Sequence, residues 1–168
     1  VSYAKPSVTA DAVAAALVYL VAYAFTSFGA WAVVVALEKN ESQGLELKDY
    51  AGLGRKRPAL AAAMAVFMLS FTGVPPTLGF IGKFYLFATA IQGGQIALAL
   101  IGVLTSLVSA YYYLRLIVIM YMHEGEPQAR SETWLNLTVY LSAAAVVVMS
   151  LFATPLFNWA TNALLKSY

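Results

Sequence analysis

The chain has 168 residues, 61% of them hydrophobic and only 11% charged, with a mean hydropathy of +0.75 and a net charge of +2. A water-soluble domain carries roughly a quarter charged residues, so this composition calls for an apolar solvent, and the small net charge without a basic stripe argues against nucleic acid. Cysteine is absent and His123 is the single histidine, which excludes disulfides, iron–sulfur ligation and histidine- or thiolate-based metal sites in this chain.

The sequence opens Val1-Ser-Tyr-Ala-Lys5-Pro, without an initiator methionine. Its first apolar run is too long for a signal peptide, so the run is expected to stay as a membrane span, with further chain upstream of Val1. A helix needs about 20 apolar residues to cross a ~30 Å hydrocarbon core, and residues 12–37 are the first stretch to qualify. Within it Tyr19, Tyr23, Thr26 and Ser27 recur at helical spacing and share a face. Residues 38–57 then form a polar connection holding five of the ten Lys and Arg, together with four acids. Leu45, Leu47, Tyr50 and Leu53 give it a weak apolar face suited to the membrane surface.

The second stretch, 58–92, is long and irregular. Pro75 and Pro76 remove two backbone donors, and Val74 and Pro75, each preceding a proline, disfavour the α conformation. Gly73 eases a change of direction there, so a span discontinuous between Gly73 and Thr77 is expected. Broken backbone at membrane depth is tolerated only where protein or a wet cavity satisfies it, and half-helix ends mark ion sites in transporters. Lys83 follows the break by about one and a half turns. It stands about ten residues, or ~15 Å, before the Gly93-Gly94 turn, too deep for its stem to reach either interface. Phe80, Phe84 and Phe87 surround an amine whose charged form is costly there, which suits a group that gains and loses a proton. The structural alternative is a lysine satisfied by carbonyls at the break.

The third stretch, 95–122, carries Gly102, Thr105, Ser106, Ser109, Tyr112 and Tyr113 on one face. These hydroxyls, with Tyr19, Tyr23, Thr26, Ser27 and Thr77, are candidates for a polar pathway past Lys83; close helix packing explains the same small and hydroxylated residues. Arg115 is expected to reach the interface, and His123 to be solvated. A second polar connection, 123–132, contains Arg130 and three acids. The fourth stretch, 133–157, is expected to kink or stop near Pro155. Asn136-Leu-Thr138 fits a glycosylation acceptor by chance, since it falls on the inner side. Six basic residues lie with the two connections and only Lys5 and Lys166 on the other side. The positive-inside rule therefore puts both chain ends outside. The expected fold is all-α: a polytopic membrane protein of four transmembrane helices, the second discontinuous.

The run Leu69-Ser-Phe-Thr-Gly-Val-Pro-Pro-Thr-Leu-Gly-Phe-Ile-Gly-Lys-Phe-Tyr-Leu-Phe87 resembles the signature of subunit N (subunit 2), an antiporter-like membrane subunit of proton-pumping NADH:quinone oxidoreductase, respiratory complex I. Supporting runs are ALVYLVAYAFTSFGAWAVV, DYAGLGRKRP and SAYYYLRLIVIMY, in the family's order over about residues 12–122. The resemblance implies that residues 1–168 are a C-terminal fragment of one antiporter-like domain. It also implies that Lys83 corresponds to a lysine of the buried hydrophilic axis. Sister subunit M carries glutamate at this place, so Lys83 favours N. The family's other axis residues have no counterpart here, so this piece cannot complete a pathway. NADH, FMN, iron–sulfur clusters and quinone are implied in partner subunits, with none in this chain. The implied partners are other membrane-arm subunits and the lipid bilayer, and the implied location is a bacterial inner (plasma) membrane. Three functions remain open: a proton-translocating subunit of that translocase, a stand-alone cation/proton antiporter of the same fold, and a structural scaffold with Lys83 as a relic.

Overall fold

A computed structural model describes residues 6–38, 46–127, 129–130 and 132–165. All regular structure among them is helical: α1 (Pro6–Leu37), a 3-10 turn (Leu47–Tyr50), α2 (Leu53–Lys56), α3 (Pro58–Thr72), α4 (Leu78–Gln92), α5 (Ile96–Met122), α6 (Thr133–Leu151) and α7 (Ala153–Leu165). Three helices are long and apolar enough to cross a membrane: α1 over Thr9–Leu37, α5 and α6. α3 and α4 have 15 residues each, about 22 Å at helical rise, which is less than a ~30 Å core.

The packing of α1 inverts the pattern of a soluble helix. Its buried stripe is made of small residues at helical spacing, Ala10, Ala14, Ala22 and Ala30 among them, while Leu20, Phe25, Phe28 and Trp31 face outward. Small residues let helix backbones approach where lipid removes the hydrophobic drive. α1 thereby packs against α3, α4, α6 and α7 and forms the centre of the bundle. Phe67 of α3, fully buried, lies over Gly29 of α1, where a Cβ would occupy the ring's place. α5 packs along α3 and α4 on one side and leaves most of its apolar surface exposed.

The fourth stretch differs from the expected 133–157. α6 stops at Leu151, and α7 carries the helix on past 157 to Leu165. Pro155 accounts for the interruption at Phe152, as expected: it offers no N–H to the carbonyl of Leu151, four residues earlier, where α6 ends. It sits in the first turn of α7, where a missing N–H breaks no intrahelical bond. α1 also begins earlier than expected, at Pro6.

The two polar connections meet at one end of the bundle. Arg55 pairs with Glu124 and Lys56 with Glu126, each at 3.1 Å, and the Arg130 N–H donates to the Ala36 carbonyl at 2.7 Å. Exposed pairs of this kind contribute about 0–1 kcal/mol; closer backbone contact holds the connections together. Gly52 has φ 74° and faces Gly125, whose carbonyl would collide with any Cβ, so both conformation and space require glycine. Residues 39–45, Lys5 and Lys166, which entered the charge distribution, lie outside the described residues.

Candidate functional site

The site is built by the five residues between α3 and α4. Gly73 takes the left-handed conformation, φ 81°, and its N–H and that of Val74 close back on the Leu69 and Ser70 carbonyls, a Schellman-type ending. Thr77 then caps α4, its hydroxyl accepting from the Phe80 N–H at 3.3 Å. In a continuous helix the carbonyls of Phe71 and Thr72 would accept from residues 75 and 76. Both are prolines and offer no donor.

Lys83 supplies what the prolines remove. Its Nζ donates to the Phe71 carbonyl at 2.8 Å and reaches the Thr72 carbonyl at 3.5 Å. The lysine sits one and a half turns into α4 and turns back over Gly73, where an added Cβ would stand 3.3 Å from its Cδ. The ammonium thus completes the C-terminal end of α3, whose unpaired carbonyls carry partial negative charge. Carbonyl partners are what a structural lysine needs. They also leave room for chemistry, because a neutral amine keeps two N–H donors and can hold both carbonyls after losing a proton.

On the bundle side, Lys83 borders a small cavity of about 20 Å3 with Tyr19, Tyr23, Thr26, Ser70 and Gly79, room for about one water. On the other side it ends a groove of about 440 Å3 between α4 and α5, walled by Phe80, Phe84, Phe87, Val103 and Leu107. The amine therefore separates a small, hydroxyl-lined space from a large apolar one.

The candidates from sequence divide accordingly. Tyr19, Tyr23 and Thr26 line the small cavity with Lys83, and Ser106 lines the groove. The buried Ser27 hydroxyl has no hydrogen-bond partner among the described residues. Thr77 is occupied as the α4 cap. Thr105 and Ser109 are bonded to carbonyls of their own helix, and Tyr112 is exposed beside Tyr111; these three are not brought to Lys83. Tyr113 instead stacks on Phe71, with ring centres 5.2 Å apart.

Sequence reasoning missed Ser70. Almost fully buried, its hydroxyl lies 3.2 Å from Thr26 Oγ1 and accepts from the Gly79 N–H at 3.2 Å. One hydroxyl thus ties α1, α3 and the first turn of α4 together beneath the lysine. The Phe71 and Thr72 carbonyls had a usable signal, since each stands four residues before a proline. Ser70 had none, because its partners lie on another helix and across the break.

The family described as NADH:quinone oxidoreductase/Mrp antiporter, transmembrane, matches residues 4–109. The chain belongs to that family. Among its relatives is NADH-quinone oxidoreductase subunit N of Trichlorobacter lovleyi, 51% identical over 83% of this chain and 28% of that protein. The subunit N proteins of Bdellovibrio bacteriovorus (43%, over 88% of this chain and 31% of the relative) and Myxococcus xanthus (41%, over 92% and 31%) are similar. The chain spans less than a third of the length of these curated relatives. A subunit in a structure of respiratory complex I from Thermus thermophilus with bound aureothin superposes with a TM-score of 0.76 and 31% identity, over 86% of this chain and 34% of that one.

Proposed function

We propose that the chain is a C-terminal part of a proton-translocating membrane-arm subunit of a bacterial respiratory NADH:quinone oxidoreductase, with Lys83 as its protonatable relay. α3 and α4 act together as one crossing, broken at residues 73–77, and join α1, α5 and α6 to make four. Both ends of the chain face outward from the inner (plasma) membrane, and the connections around Arg55 and Glu124 face the cytoplasm. NADH oxidation, FMN, iron–sulfur clusters and quinone belong to partner subunits, so this chain moves protons without a redox centre of its own.

The observation that carries the proposal is the placement of the Lys83 amine. It holds two carbonyls that prolines have stripped of donors, and it stands between a cavity bordered by hydroxyls and an apolar groove. A purely structural lysine would need the carbonyls alone. Tyr19, Tyr23, Thr26 and one water in the cavity provide groups through which a proton can reach or leave the amine. The relatives, NADH-quinone oxidoreductase subunit N proteins, favour a complex I subunit over a stand-alone antiporter of the same family.

The test uses membrane vesicles from cells carrying Lys83→Ala in the full-length subunit. Proton translocation per NADH oxidised, normalised to assembled complex, should collapse while assembly persists. Wild-type pumping by this variant would remove Lys83 from the mechanism.

A further inference from the structure

We propose that a pocket at the connection end of the bundle, between the starts of α3 and α6, holds the phosphodiester headgroup of an anionic phospholipid. The proposal depends on the membrane placement of the chain and is independent of the proton relay. The pocket has a volume of about 220 Å3 and is lined by Lys56, Arg57, Arg130, Asn136 and Tyr140 with apolar Leu60. Three cations and two neutral polar side chains converge there. Lys56 shares its charge with Glu126, whereas the Arg57 guanidinium forms no ion pair or hydrogen bond with another described residue. Glu132, the N-cap residue of α6, is exposed.

Two further features select a lipid over a soluble anion. First, the depth is that of headgroups: Pro58 opens α3 and Thr133 opens α6, so polar connection gives way to apolar helix at the pocket floor. The start of α3, residues 58–60, lines the pocket, and a helix N-terminus carries positive partial charge. Second, the pocket opens onto an apolar track. Beyond Tyr140 on α6, Ala144 and Val147 are exposed at helical spacing from it, an apolar strip along which acyl chains would lie while the headgroup meets Arg57. Basic pockets between spans on the cytoplasmic side, where anionic lipid is attracted, suit this occupant.

The full-length protein is reconstituted in nanodiscs of mixed phosphatidylcholine and phosphatidylglycerol, then moved to detergent. Native mass spectrometry counts the lipids retained. Wild type should retain phosphatidylglycerol in preference to phosphatidylcholine. Arg57→Gln should lower that preference about fivefold, and Arg57→Gln with Arg130→Gln about fivefold again. Arg57→Lys should restore it, Lys48→Gln should leave it unchanged, and added inorganic phosphate should not displace the lipid. An unaltered preference in Arg57→Gln, equal retention of both lipids, displacement by phosphate, or a pocket covered by protein in the assembled complex would each overturn the proposal. Circular dichroism identifies any variant that fails to fold, in which case Arg57→Gln alone carries the result. Retention of no lipid by wild type would also overturn it, while the membrane placement is tested separately by labelling at positions 48 and 95.

Discussion

Gly79→Ala should separate α4 from α3 and loosen the lysine site. Gly79 is buried in the first turn of α4, and a Cβ there would meet the Ser70 carbonyl and carbonyl carbon. These are backbone atoms, so no rotamer change relieves the clash, and the helices must move apart by more than a bond length. Overpacking of this kind costs about 1–3 kcal/mol. The movement also stretches the Ser70–Gly79 hydrogen bond of 3.2 Å, worth about 0.6 kcal/mol for an average bond in a membrane bundle. A total loss of about 2–4 kcal/mol follows. Gly82→Ala is the matched comparison. Its Cβ would stand 3.2 and 3.3 Å from Tyr19 atoms, a mild crowding that the ~1 kcal/mol preference of alanine for helix largely offsets. Unfolding of the full-length protein in detergent, followed by circular dichroism, should therefore rank Gly79→Ala well below Gly82→Ala, which stays near wild type. Equal stability of the two variants would refute the close approach of α4 to α3.

Cysteines placed singly at Lys48 and Gln95, both exposed, should react with a membrane-impermeant reagent from opposite sides of sealed vesicles; reaction from the same side would overturn the topology. Tyr50 gives a pH dependence. Burial, helped by the adjacent Asp49, pushes its hydroxyl from 10 up to about 12. The unfolded chain therefore releases this proton first as pH rises, so stability should fall between pH 10 and about 12. Tyr50→Phe should flatten that part of the decline, and an unchanged slope would show that Tyr50 is not buried as described.

The helical class and membrane character were legible because they follow from composition and the lengths of apolar runs. The turn between α4 and α5 was equally plain, since Gly94 takes φ 76° in a Gly-Gly pair. Lys83 could be singled out from sequence because a charge between apolar runs is rare, and its carbonyl partners were implied by the prolines four residues on. What hydropathy could not supply was the direction each side chain faces. Thr105, Ser109 and Tyr112 share a helical stripe as convincingly as Tyr19, Tyr23 and Thr26, yet only the second group borders the small cavity with Lys83, while α5 meets α4 through Gly102 and Ser106 of its stripe. The interruption at Phe152 was legible from Pro155, but the continuation of the helix as α7 to Leu165 was not. Ser70 was invisible because its three-way bridge joins residues 44 and 9 positions apart.

The most direct test of the central claim is the proton-to-NADH ratio of the assembled complex carrying Lys83→Arg. Arginine keeps a positive charge near the Phe71 and Thr72 carbonyls but does not deprotonate in a protein. If Lys83 must gain and lose a proton, the variant should assemble, hold the break between α3 and α4, and pump far less than wild type per NADH. Lys83→Glu, which restores a titratable group, should recover part of the ratio. A wild-type ratio in the arginine variant would show that a fixed charge suffices and would contradict the relay.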